Sequence, residues 1–291
     1  YTGKLHRIKK QLIVERLLMS KDLLKNAQFK LLKYAEVRAV FEWQSFYLLR
    51  GLMRKLPKGD GHPVIVFPGF VSSDLATRPM RSLFDDLGYS TYGWGLGRNL
   101  IFDQKREKEM RNLLKNVYQK EGRKVSLIGW SLGGLFAREV AKANPEYVRC
   151  VISMGSPISG AATQSNAKDL FQAINGNPGE YRRGRFQDTN QPPPVPTTSI
   201  YSKTDGIVHW ESSVQQGGYP QTENIEVPAS HLGLGVNALV MMAVADRLAQ
   251  QEGDWTPFDR SGFKRFIFTD SKQTWGDAFS GIFRKNQSMG A

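Results

Sequence analysis

The sequence predicts an α/β protein with a mostly parallel central sheet and helices on both of its faces. Short apolar runs alternate with longer amphipathic runs between residues 61 and 253. Strands separated by helices favour right-handed crossovers and parallel pairing. The first strand-like run, Pro63–Phe67, is apolar throughout, which is typical of a strand buried on both faces of a parallel sheet.

The elements of this core follow one another in a regular order. The runs predicted as strands are Pro63–Phe67, Tyr89–Trp94, Lys124–Ile128, Val148–Met154, Thr197–Tyr201 and Asn224–Val227. The runs predicted as helices are Arg78–Leu87, Asp103–Glu121, Leu132–Ala143 and Gly235–Gln251. Together they assign residues 61–156 and 197–253 to the core.

Two further segments flank or interrupt this core. Residues 157–196 contain a short helical pattern at Ala167–Ile174 and a proline-rich end, and they are too long for a simple loop. We expect them to form a cap or lid. Residues 254–291 are rich in aromatic side chains with interspersed Lys and Arg. We expect this C-terminal extension to pack across the body or against the N-terminal arm.

Residues 1–60 form a predicted basic, helical N-terminal arm. Apolar residues recur there at nearly helical spacing, and a breaker cluster around Pro57 ends the pattern. The arm holds 14 Lys and Arg against 5 Asp and Glu, so it carries +9 of the net charge of +13. An anionic membrane surface is the favoured partner for such a segment. Nucleic acid is not expected, because nothing resembles a nucleic-acid-reading module.

Composition sets further bounds on the chain. With 291 residues, 40% of them hydrophobic, it can bury a sizeable core. The single cysteine, Cys150, lies in an apolar run, so we expect a buried thiol and no intramolecular disulfide. No apolar run reaches the roughly 18 residues of a membrane-spanning helix. The absence of a visible signal peptide favours a cytoplasmic or membrane-peripheral location, but the start at Tyr1 leaves secretion open.

The pentapeptide Gly129-Trp130-Ser131-Leu132-Gly133 lies between a predicted strand and a predicted helix. A serine between two close glycines at such a turn is the pattern of a nucleophile elbow. Side chains at Gly129 and Gly133 would collide with the neighbouring helix and strand. The serine hydroxyl would lie at a helix N-terminus, where developing negative charge is favoured.

A serine nucleophile needs a base, and two histidines follow Ser131 in the chain. His231 comes directly after a predicted strand and before a long helix, a position from which its ring can reach over the sheet edge. His209 is only four residues after the best carboxylate, Asp205, which makes it the weaker candidate. His231 is therefore the predicted base.

The base in turn needs a carboxylate that holds its tautomer and stabilises its charged form. Asp205 directly follows the strand Thr197–Tyr201. Asp188 lies within the predicted cap and Glu211 lies further from a strand end, so both are weaker candidates. Asp205-Gly206 is also a good turn dipeptide, and the two roles are compatible.

Acyl transfer also requires donors for an oxyanion. The backbone N–H of Leu132, directly after the serine, is one predicted donor, and that of Phe70, after the first strand, is the other. Gly69 permits close backbone approach, and Gly69 and Trp130 are the predicted substrate-binding residues. The loop Trp94–Asn99 could line an acyl pocket, position the oxyanion loop, or be purely structural.

The motifs of several other functions are missing from the sequence. The glycines of Trp94–Asn99 do not have the spacing of a dinucleotide-binding fingerprint. No phosphate-binding loop occurs, and no His, Cys and carboxylate cluster has metal-ligand spacing. We therefore expect neither a metal nor an organic cofactor.

Residues 62–251 resemble the α/β-hydrolases, and within them the bacterial lipases and esterases. The matching motifs are Pro68-Gly69-Phe70, Gly129-Trp130-Ser131-Leu132-Gly133, Met154-Gly155-Ser156-Pro157, Asp205-Gly206-Ile207-Val208 and Ala229-Ser230-His231. The resemblance implies the α/β-hydrolase fold, with Ser131 as nucleophile, Asp205 as orienting acid and His231 as base. It implies ester or lipid substrates and no required cofactor. Two departures are Pro68-Gly69 in place of the usual His-Gly, and a helical arm in place of the N-terminal β-hairpin.

The leading hypothesis is a lipase- or carboxylesterase-like serine hydrolase that cleaves carboxylic esters through an acyl-enzyme. An acyltransferase that uses the same Ser-His-Asp triad is the nearest alternative, because any nucleophile that outcompetes water would serve. A non-catalytic membrane- or partner-binding protein on a hydrolase scaffold is the third. It is disfavoured because all three triad positions are filled.

Overall fold

The computed structural model describes residues 36–100, 103–159 and 189–268. They contain one six-stranded sheet in the spatial order β2-β1-β3-β4-β5-β6, with every neighbouring pair parallel. Its strands are β1 (Pro63–Phe67), β2 (Ser90–Gly93), β3 (Val125–Trp130), β4 (Val148–Met154), β5 (Thr197–Tyr201) and β6 (Thr222–Glu226). The predicted α/β class with a parallel sheet is confirmed.

Five α-helices accompany the sheet in the described residues. They are α1 (Ala39–Met53), α2 (Asp74–Asp86), α3 (Gln104–Glu121), α4 (Leu132–Ala143) and α5 (Ala238–Leu248). Short 3-10 turns add Glu36–Arg38, Pro145–Tyr147, Trp210–Ser213 and Gly262–Phe266. All four predicted core helices are present, with shifts of up to four residues at their ends.

The largest shift is at α2, which begins at Asp74 rather than at Arg78 as predicted. The carboxylate of Asp74 accepts the backbone N–H groups of Trp94 at 2.9 Å and Gly95 at 3.0 Å. These bonds tie the first turn of the helix to the end of β2. Such a contact between distant segments is invisible to a periodicity argument.

The sheet is covered on both faces, as predicted, and β1 is buried along its whole length. Alternate residues of β1 enter different clusters, because successive side chains of a strand point to opposite faces. Val64 and Val66 pack with α1, α2 and α5, whereas Ile65 and Phe67 pack with α3 and α4. The sheet is therefore the middle layer of three.

The described part of the N-terminal arm, residues 36–60, lies against this body. Phe46 and Met53 of α1 are buried in the same cluster as α2 and α5. The rest of the α1 surface exposes large apolar side chains, namely Val40, Phe41, Trp43, Tyr47, Leu48, Leu49 and Leu52. Residues 1–35 of the predicted arm lie outside the described residues.

Most of the predicted cap and much of the C-terminal extension also lie outside the described residues. This includes the helical pattern at Ala167–Ile174. In the described part of the extension, Phe258 and Phe268 pack edge to face, with ring centroids 4.9 Å apart, in the cluster that holds α1, α2 and α5. Division of the chain at residues 60, 156, 196 and 253 stays a prediction.

The strand order places a topological switch point between β1 and β3. From β1 the chain moves to β2 on one side, and β3 then lies on the other side of β1. In open α/β sheets, sites form outside the carboxyl ends of the strands at such a point. Among the described residues, no helix has the length and apolar character needed to cross a membrane.

Candidate active site

Ser131 lies at the sharp turn between β3 and α4. Its φ of 54° and ψ of −122° are unusual for a residue with a side chain. Such a conformation costs about 1–3 kcal/mol and persists only when the surroundings enforce it. The Ser131 N–H donates to the carbonyl of Met154 at 2.8 Å, which anchors the turn to β4.

The two glycines of the pentapeptide make this turn sterically feasible. A Cβ at Gly129 would lie 2.3 Å from the carbonyl oxygen of Gly133, and a Cβ at Gly133 would lie 2.3 Å from that of Phe67. Both distances are backbone collisions that no rotamer change can relieve. The predicted collisions with helix and strand are therefore present.

The structure brings Ser131, His231 and Asp205 together at the carboxyl edge of the sheet. The Ser131 Oγ is 3.0 Å from His231 Nε2, and His231 Nδ1 is 2.6 Å from Asp205 Oδ2. The three residues are 6%, 4% and 3% exposed, respectively. An ionised carboxylate only accepts hydrogen bonds, so Nδ1 carries a proton and neutral His231 has Nε2 free to accept the Ser131 hydroxyl.

The other candidate residues lie elsewhere or outside the described part. His209 Nδ1 is 3.8 Å from Glu211 Oε2, and its ring stacks on Trp210. Asp188 belongs to the segment that the structure does not describe. Of the sequence-based alternatives, His231 and Asp205 are the residues that form a hydrogen-bonded chain with Ser131.

Electrostatics at His231 favour its protonated form. Burial disfavours a charged ring, but the negative charge of Asp205, its hydrogen bond and the charge of Glu36 outweigh burial and raise the pKa of His231. Asp205 is itself held in place, since its Oδ1 accepts the N–H groups of Ile207 and Val208, each at 2.8 Å. The ring can therefore receive a proton and hold it.

Gly155 explains why the Met154-Gly155-Ser156-Pro157 motif accompanies the site. Its φ is +55°, and a Cβ there would lie 3.1 Å from Asp205 Oδ2 and 3.3 Å from His231 Nδ1. The same Cβ would collide with Leu234 at 2.4 Å. Only glycine leaves room for Asp205 and His231 to meet over the end of β4.

The loop after β1 lies against the serine. A Cβ at Gly69 would be 3.4 Å from Ser131 Cβ, so the backbone of this loop passes directly beside the hydroxyl. Phe70 follows in the same loop, and Leu132 is the first residue of α4. The two predicted oxyanion donors thus belong to segments on either side of Ser131.

Asn99 holds the same loop from behind. It is fully buried, and its Nδ2 donates to the carbonyl of Pro68 at 2.8 Å. Its backbone N–H donates to Ser72 O and its carbonyl accepts from Val71 N–H, both at 2.8 Å. The structure thus shows the Trp94–Asn99 loop in contact with the loop after β1, whose oxyanion role stays a prediction.

Trp130 is joined to the histidine loop. Its indole Nε1–H donates to the carbonyl of His231 at 3.1 Å, and the two rings lie 6.4 Å apart. The half-buried indole therefore borders the site. Contact with substrate at Trp130 and Gly69 stays a prediction.

Sequence reasoning missed the residues that hold the acid and base loops from the side of α1. Glu36 is 7% exposed and accepts hydrogen bonds from the backbone N–H groups of Gly206 and His231. These partners are separated from it by 170 and 195 positions in the chain. The only sequence signal was a carboxylate immediately ahead of an apolar helical run.

A second Ser-His-Asp arrangement lies at the opposite edge of the sheet. Ser126 Oγ is 2.9 Å from His62 Nε2, and His62 Nδ1 is 2.5 Å from Asp60 Oδ1. Ser126 belongs to β3 and His62 immediately precedes β1, so this trio lies at the amino ends of the strands. Cys150, where a buried thiol is expected, is half-buried as a residue and donates from Sγ to Ser126 Oγ at 3.3 Å, and burial raises the pKa of its thiol.

Metal ligands are not grouped in the described residues. No set of three or more His, Cys, Asp or Glu residues there is arranged to hold an ion. The polar atoms of the site instead bind one another and the backbone, in a chain from Asp205 through His231 to Ser131. This arrangement can move a proton between a hydroxyl and an imidazole.

Comparison with solved structures identifies the fold. The chain is similar to Aspergillus fumigatus lipase B at 18% identity with a TM-score of 0.52, covering 67% of this chain and 54% of that one. It is similar to Est1E from Butyrivibrio proteoclasticus at 16% identity and a TM-score of 0.50, covering 65% and 87%. A structure from work on the metagenome-derived lipolytic enzymes LipS and LipT matches at 14% identity and a TM-score of 0.50, covering 66% and 95%.

The chain has the α/β-hydrolase fold, as its motifs predict. Lipases and esterases are among its structural neighbours. The match spans only about half the length of the Aspergillus fumigatus lipase, at 54%. No protein-family model matches the sequence. No curated protein matches it either.

Proposed function

We propose that this chain is a serine hydrolase that cleaves carboxylic esters, with Ser131 as nucleophile, His231 as base and Asp205 as orienting acid. The observation that carries the proposal is the hydrogen-bonded chain of 3.0 Å and 2.6 Å that ends on a serine in a positive-φ turn. A serine hydroxyl becomes a useful nucleophile only beside an oriented base. Structural similarity to lipases and esterases supports the same reaction class.

In the acylation half, His231 Nε2 takes the hydroxyl proton as Ser131 Oγ attacks the ester carbonyl carbon. The C=O π electrons move onto oxygen, and the N–H groups of Leu132 and Phe70 donate to the resulting oxyanion. When the tetrahedral intermediate collapses, the C–O bond to the alcohol breaks. His231 returns the proton to the departing alkoxide, which leaves an acyl-Ser131 ester.

In the deacylation half, water takes the place of the alcohol. His231 removes a proton from this water as its oxygen attacks the acyl carbon, and the same two N–H groups hold the second oxyanion. Collapse breaks the bond to Ser131 Oγ, and His231 protonates that oxygen. Asp205 stabilises the imidazolium in both halves without taking the proton itself.

Apolar acyl groups are the proposed substrate class. Trp130 and the aromatic-rich segments of the chain favour an ester with an apolar acid portion over a peptide. A series of p-nitrophenyl esters from acetate to long-chain acids tests this. We expect kcat/KM to rise beyond acetate, and a preference for the shortest ester would contradict an apolar acyl site.

Labelling with a fluorophosphonate probe tests the nucleophile. We expect wild type to be labelled and Ser131→Ala not to be labelled. Ser126→Ala is the matched control, since it removes the other serine that is hydrogen-bonded to a histidine, and it should label like wild type. Labelling of Ser131→Ala, or of no variant, would overturn the mechanism.

Partition between water and alcohols separates hydrolysis from acyl transfer. We expect the free acid to dominate when a short alcohol is added to the ester reaction. A product dominated by the new ester at low alcohol concentration would replace the hydrolase proposal with an acyltransferase that uses the same triad.

Residues 1–60 are proposed to contact an anionic membrane surface. The arm carries a net charge of +9, and its described helix α1 exposes Phe41 by 67% and Leu48 by 85%. Basic and apolar side chains together favour the interface of anionic lipid. We expect binding to phosphatidylglycerol vesicles that weakens as salt is added, and no binding at low salt would contradict the proposal.

A further inference from the structure

One buried carboxylate binds the backbones of both loops that carry the acid and the base. Glu36 Oε1 accepts the N–H of Gly206, next to Asp205, and the N–H of His231, both at 2.9 Å. Its Oε2 accepts the N–H of Leu232, also at 2.9 Å. The loop after β5 and the loop after β6 therefore share one anchor.

Two neighbours of Glu36 bind the same pair of loops. Arg38 Nη2 donates to the carbonyls of Thr204 and Ala229, the latter at 2.9 Å. Glu42, in the first turn of α1, accepts the N–H of Ser230 at 3.0 Å and a bond from its hydroxyl. Both loops are thus bound at several points by one short stretch of chain.

These bonds are made to backbone atoms, so they fix the positions of the main chain from which the Asp205 and His231 side chains extend. Loops are the most mobile parts of a fold, whereas a proton-transfer chain tolerates displacements of only about 0.5 Å. Glu36 binds the backbone of Gly206, the residue next to Asp205, and the backbone of His231 itself. It therefore links the two loops that carry the Asp205–His231 pair. Its carboxylate suits this task, because each of its oxygens accepts and neither donates.

We propose that Glu36 is a positioning residue for the triad: by binding the N–H groups of Gly206, His231 and Leu232, it holds the acid and base loops at their catalytic separation. Arg38 and Glu42 hold the same loops with it. The proposal rests on the proposed function, since it assigns these residues to the Ser131 site. The segment ahead of the sheet thereby belongs to the working site.

The charge of Glu36 supplies a second, separable effect. Among the described residues, the ionisable groups that face His231 are Asp205 and Glu36, while Arg38 and Glu42 bind the backbone of its loop. The negative charge of Glu36 contributes to the raised pKa of His231. Its removal therefore lowers that pKa, and the base stays neutral to lower pH.

Steady-state kinetics of Glu36→Gln on a p-nitrophenyl ester test the positioning role. Glutamine keeps the shape but replaces one acceptor by an NH2 donor that faces a backbone N–H. We expect kcat to fall about 10- to 100-fold with KM changed less than about twofold, as for a misplaced catalytic group. The acid limb of the kcat/KM profile should move to lower pH.

Two further variants separate positioning from stability and charge. Glu107→Gln is the matched control. Glu107 lies on α3, on the other face of the sheet, and like Glu36 it is 7% exposed. The variant should leave kcat and the acid limb as in wild type even if the melting temperature falls. Glu36→Asp keeps the negative charge, but its shorter side chain no longer reaches the backbone N–H groups. We therefore expect kcat to fall while the acid limb of the kcat/KM profile stays in place.

Unchanged kcat and an unchanged acid limb in Glu36→Gln would overturn the proposal, as would an equal loss of kcat in Glu107→Gln. If Glu36→Gln does not fold, Glu36→Asp and Glu42→Gln carry the kinetic test, and wild-type kcat in both would overturn it. Wild type that neither labels nor hydrolyses esters would refute the proposed function instead. In that event the His231 imidazole pKa, measured by NMR, decides: a lower value in Glu36→Gln supports the contact, and an equal value overturns it.

Discussion

The two edges of the sheet hold the same three side-chain types at nearly the same distances. At the carboxyl edge, Ser131, His231 and Asp205 are joined at 3.0 Å and 2.6 Å. At the amino edge, Ser126 and His62 are joined at 2.9 Å, and Asp60 lies 2.5 Å from the ring. Side-chain identity and spacing alone therefore do not distinguish a site from a structural network.

Backbone geometry is the first difference between the two trios. Ser131 lies in a turn with φ of 54°, at the first turn of α4 and beside Gly69. Ser126 lies within β3, paired with β1 on one side and β4 on the other, and is 0% exposed. Because the Ser126 side chain is fully buried within the sheet, a carbonyl substrate has no approach to its hydroxyl.

Charge is the second difference, and it acts in opposite directions. Carboxylates surround His231, and they raise its pKa despite burial. At His62, burial is the largest effect and lowers the pKa. The positive charge of Arg149 lowers it further, whereas the hydrogen bond that the ring donates to Asp60 acts against both. The pKa of His62 falls to about 4, so this ring stays neutral and cannot serve as a proton store near neutral pH.

Asp60 also shows the structural role of the amino-edge trio. Its Oδ2 accepts from Arg123 at 2.6 Å and from Arg149 at 2.9 Å. Burial alone would raise the pKa of Asp60, but its hydrogen bonds from Arg149 and His62 outweigh burial and lower it. The carboxylate thus ties the segment before β1 to the segment before β3 and to the start of β4. We infer that the backbone geometry and the neighbouring charges, rather than the three side chains themselves, decide which trio can transfer a proton.

Replacing each histidine gives the largest expected contrast. His231→Gln should lower kcat/KM on a p-nitrophenyl ester by roughly four to six orders of magnitude, because the nucleophile loses its base. His62→Gln should leave it within a factor of about three. A comparable loss in both variants would show that the amino-edge trio takes part in turnover.

The two aspartates should differ in which property they change. Asp205→Asn should lower kcat about 10³- to 10⁴-fold, because the amide favours the wrong tautomer of His231. Asp60→Asn should keep kcat and lower the free energy of unfolding by about 2 kcal/mol, since the buried Arg149 loses its ionic partner. Denaturant unfolding and steady-state kinetics on both variants check this, and an exchange of the two phenotypes would contradict it.

The pH dependence of stability isolates His62. Its pKa is about 4 when folded and 6.5 in the unfolded reference, so below pH 6.5 the unfolded chain binds a proton that the folded chain does not. The free energy of unfolding should therefore fall by about 3 kcal/mol between pH 6.5 and pH 4 through this group. In His62→Gln, the free energy of unfolding should change less steeply with pH between pH 6.5 and pH 4. If denaturant titrations at several pH values gave the same pH dependence for both proteins, the burial effect on His62 would be contradicted.

The smallest expected effect comes from Asn99, which binds the loop after β1 that carries Gly69 and Phe70. Asn99→Ala removes the bond to the Pro68 carbonyl, so kcat should fall about tenfold while KM changes little. Asn144→Ala is the control, because Asn144 is also a buried asparagine and donates from Nδ2 to the carbonyl of Val140 at 3.0 Å at the end of α4. It should lower the melting temperature only, and an equal loss of kcat would argue against a role for Asn99.

Local sequence patterns predicted most of the architecture. The bounds of β1, β4, β5 and α4 match the predicted runs. A continuous apolar stretch fixes β1, and the elbow glycines fix the start of α4. Ser131, Asp205 and His231 were predicted from their places after β3, β5 and β6. Position along the chain sufficed there, since parallel strands bring their carboxyl ends to one edge.

Contacts between distant segments were beyond such reasoning. Glu36 reaches backbone groups 170 to 196 positions away, and His62 meets a serine 64 positions away. No local sequence pattern around Glu36 or His62 predicts which distant residue it will bind. The same limit explains why the arm was predicted as a separate helical segment, although residues of α1 pack into the core.

A pH titration of the histidine imidazoles by NMR tests the central claim most directly, with assignments from His62→Gln and His231→Gln. We expect a pKa above 6.5 for His231 and one near 4 for His62 in the same folded protein. Two values near 6.5, or the reverse order, would contradict the claim that the charges at each edge of the sheet set the two trios apart.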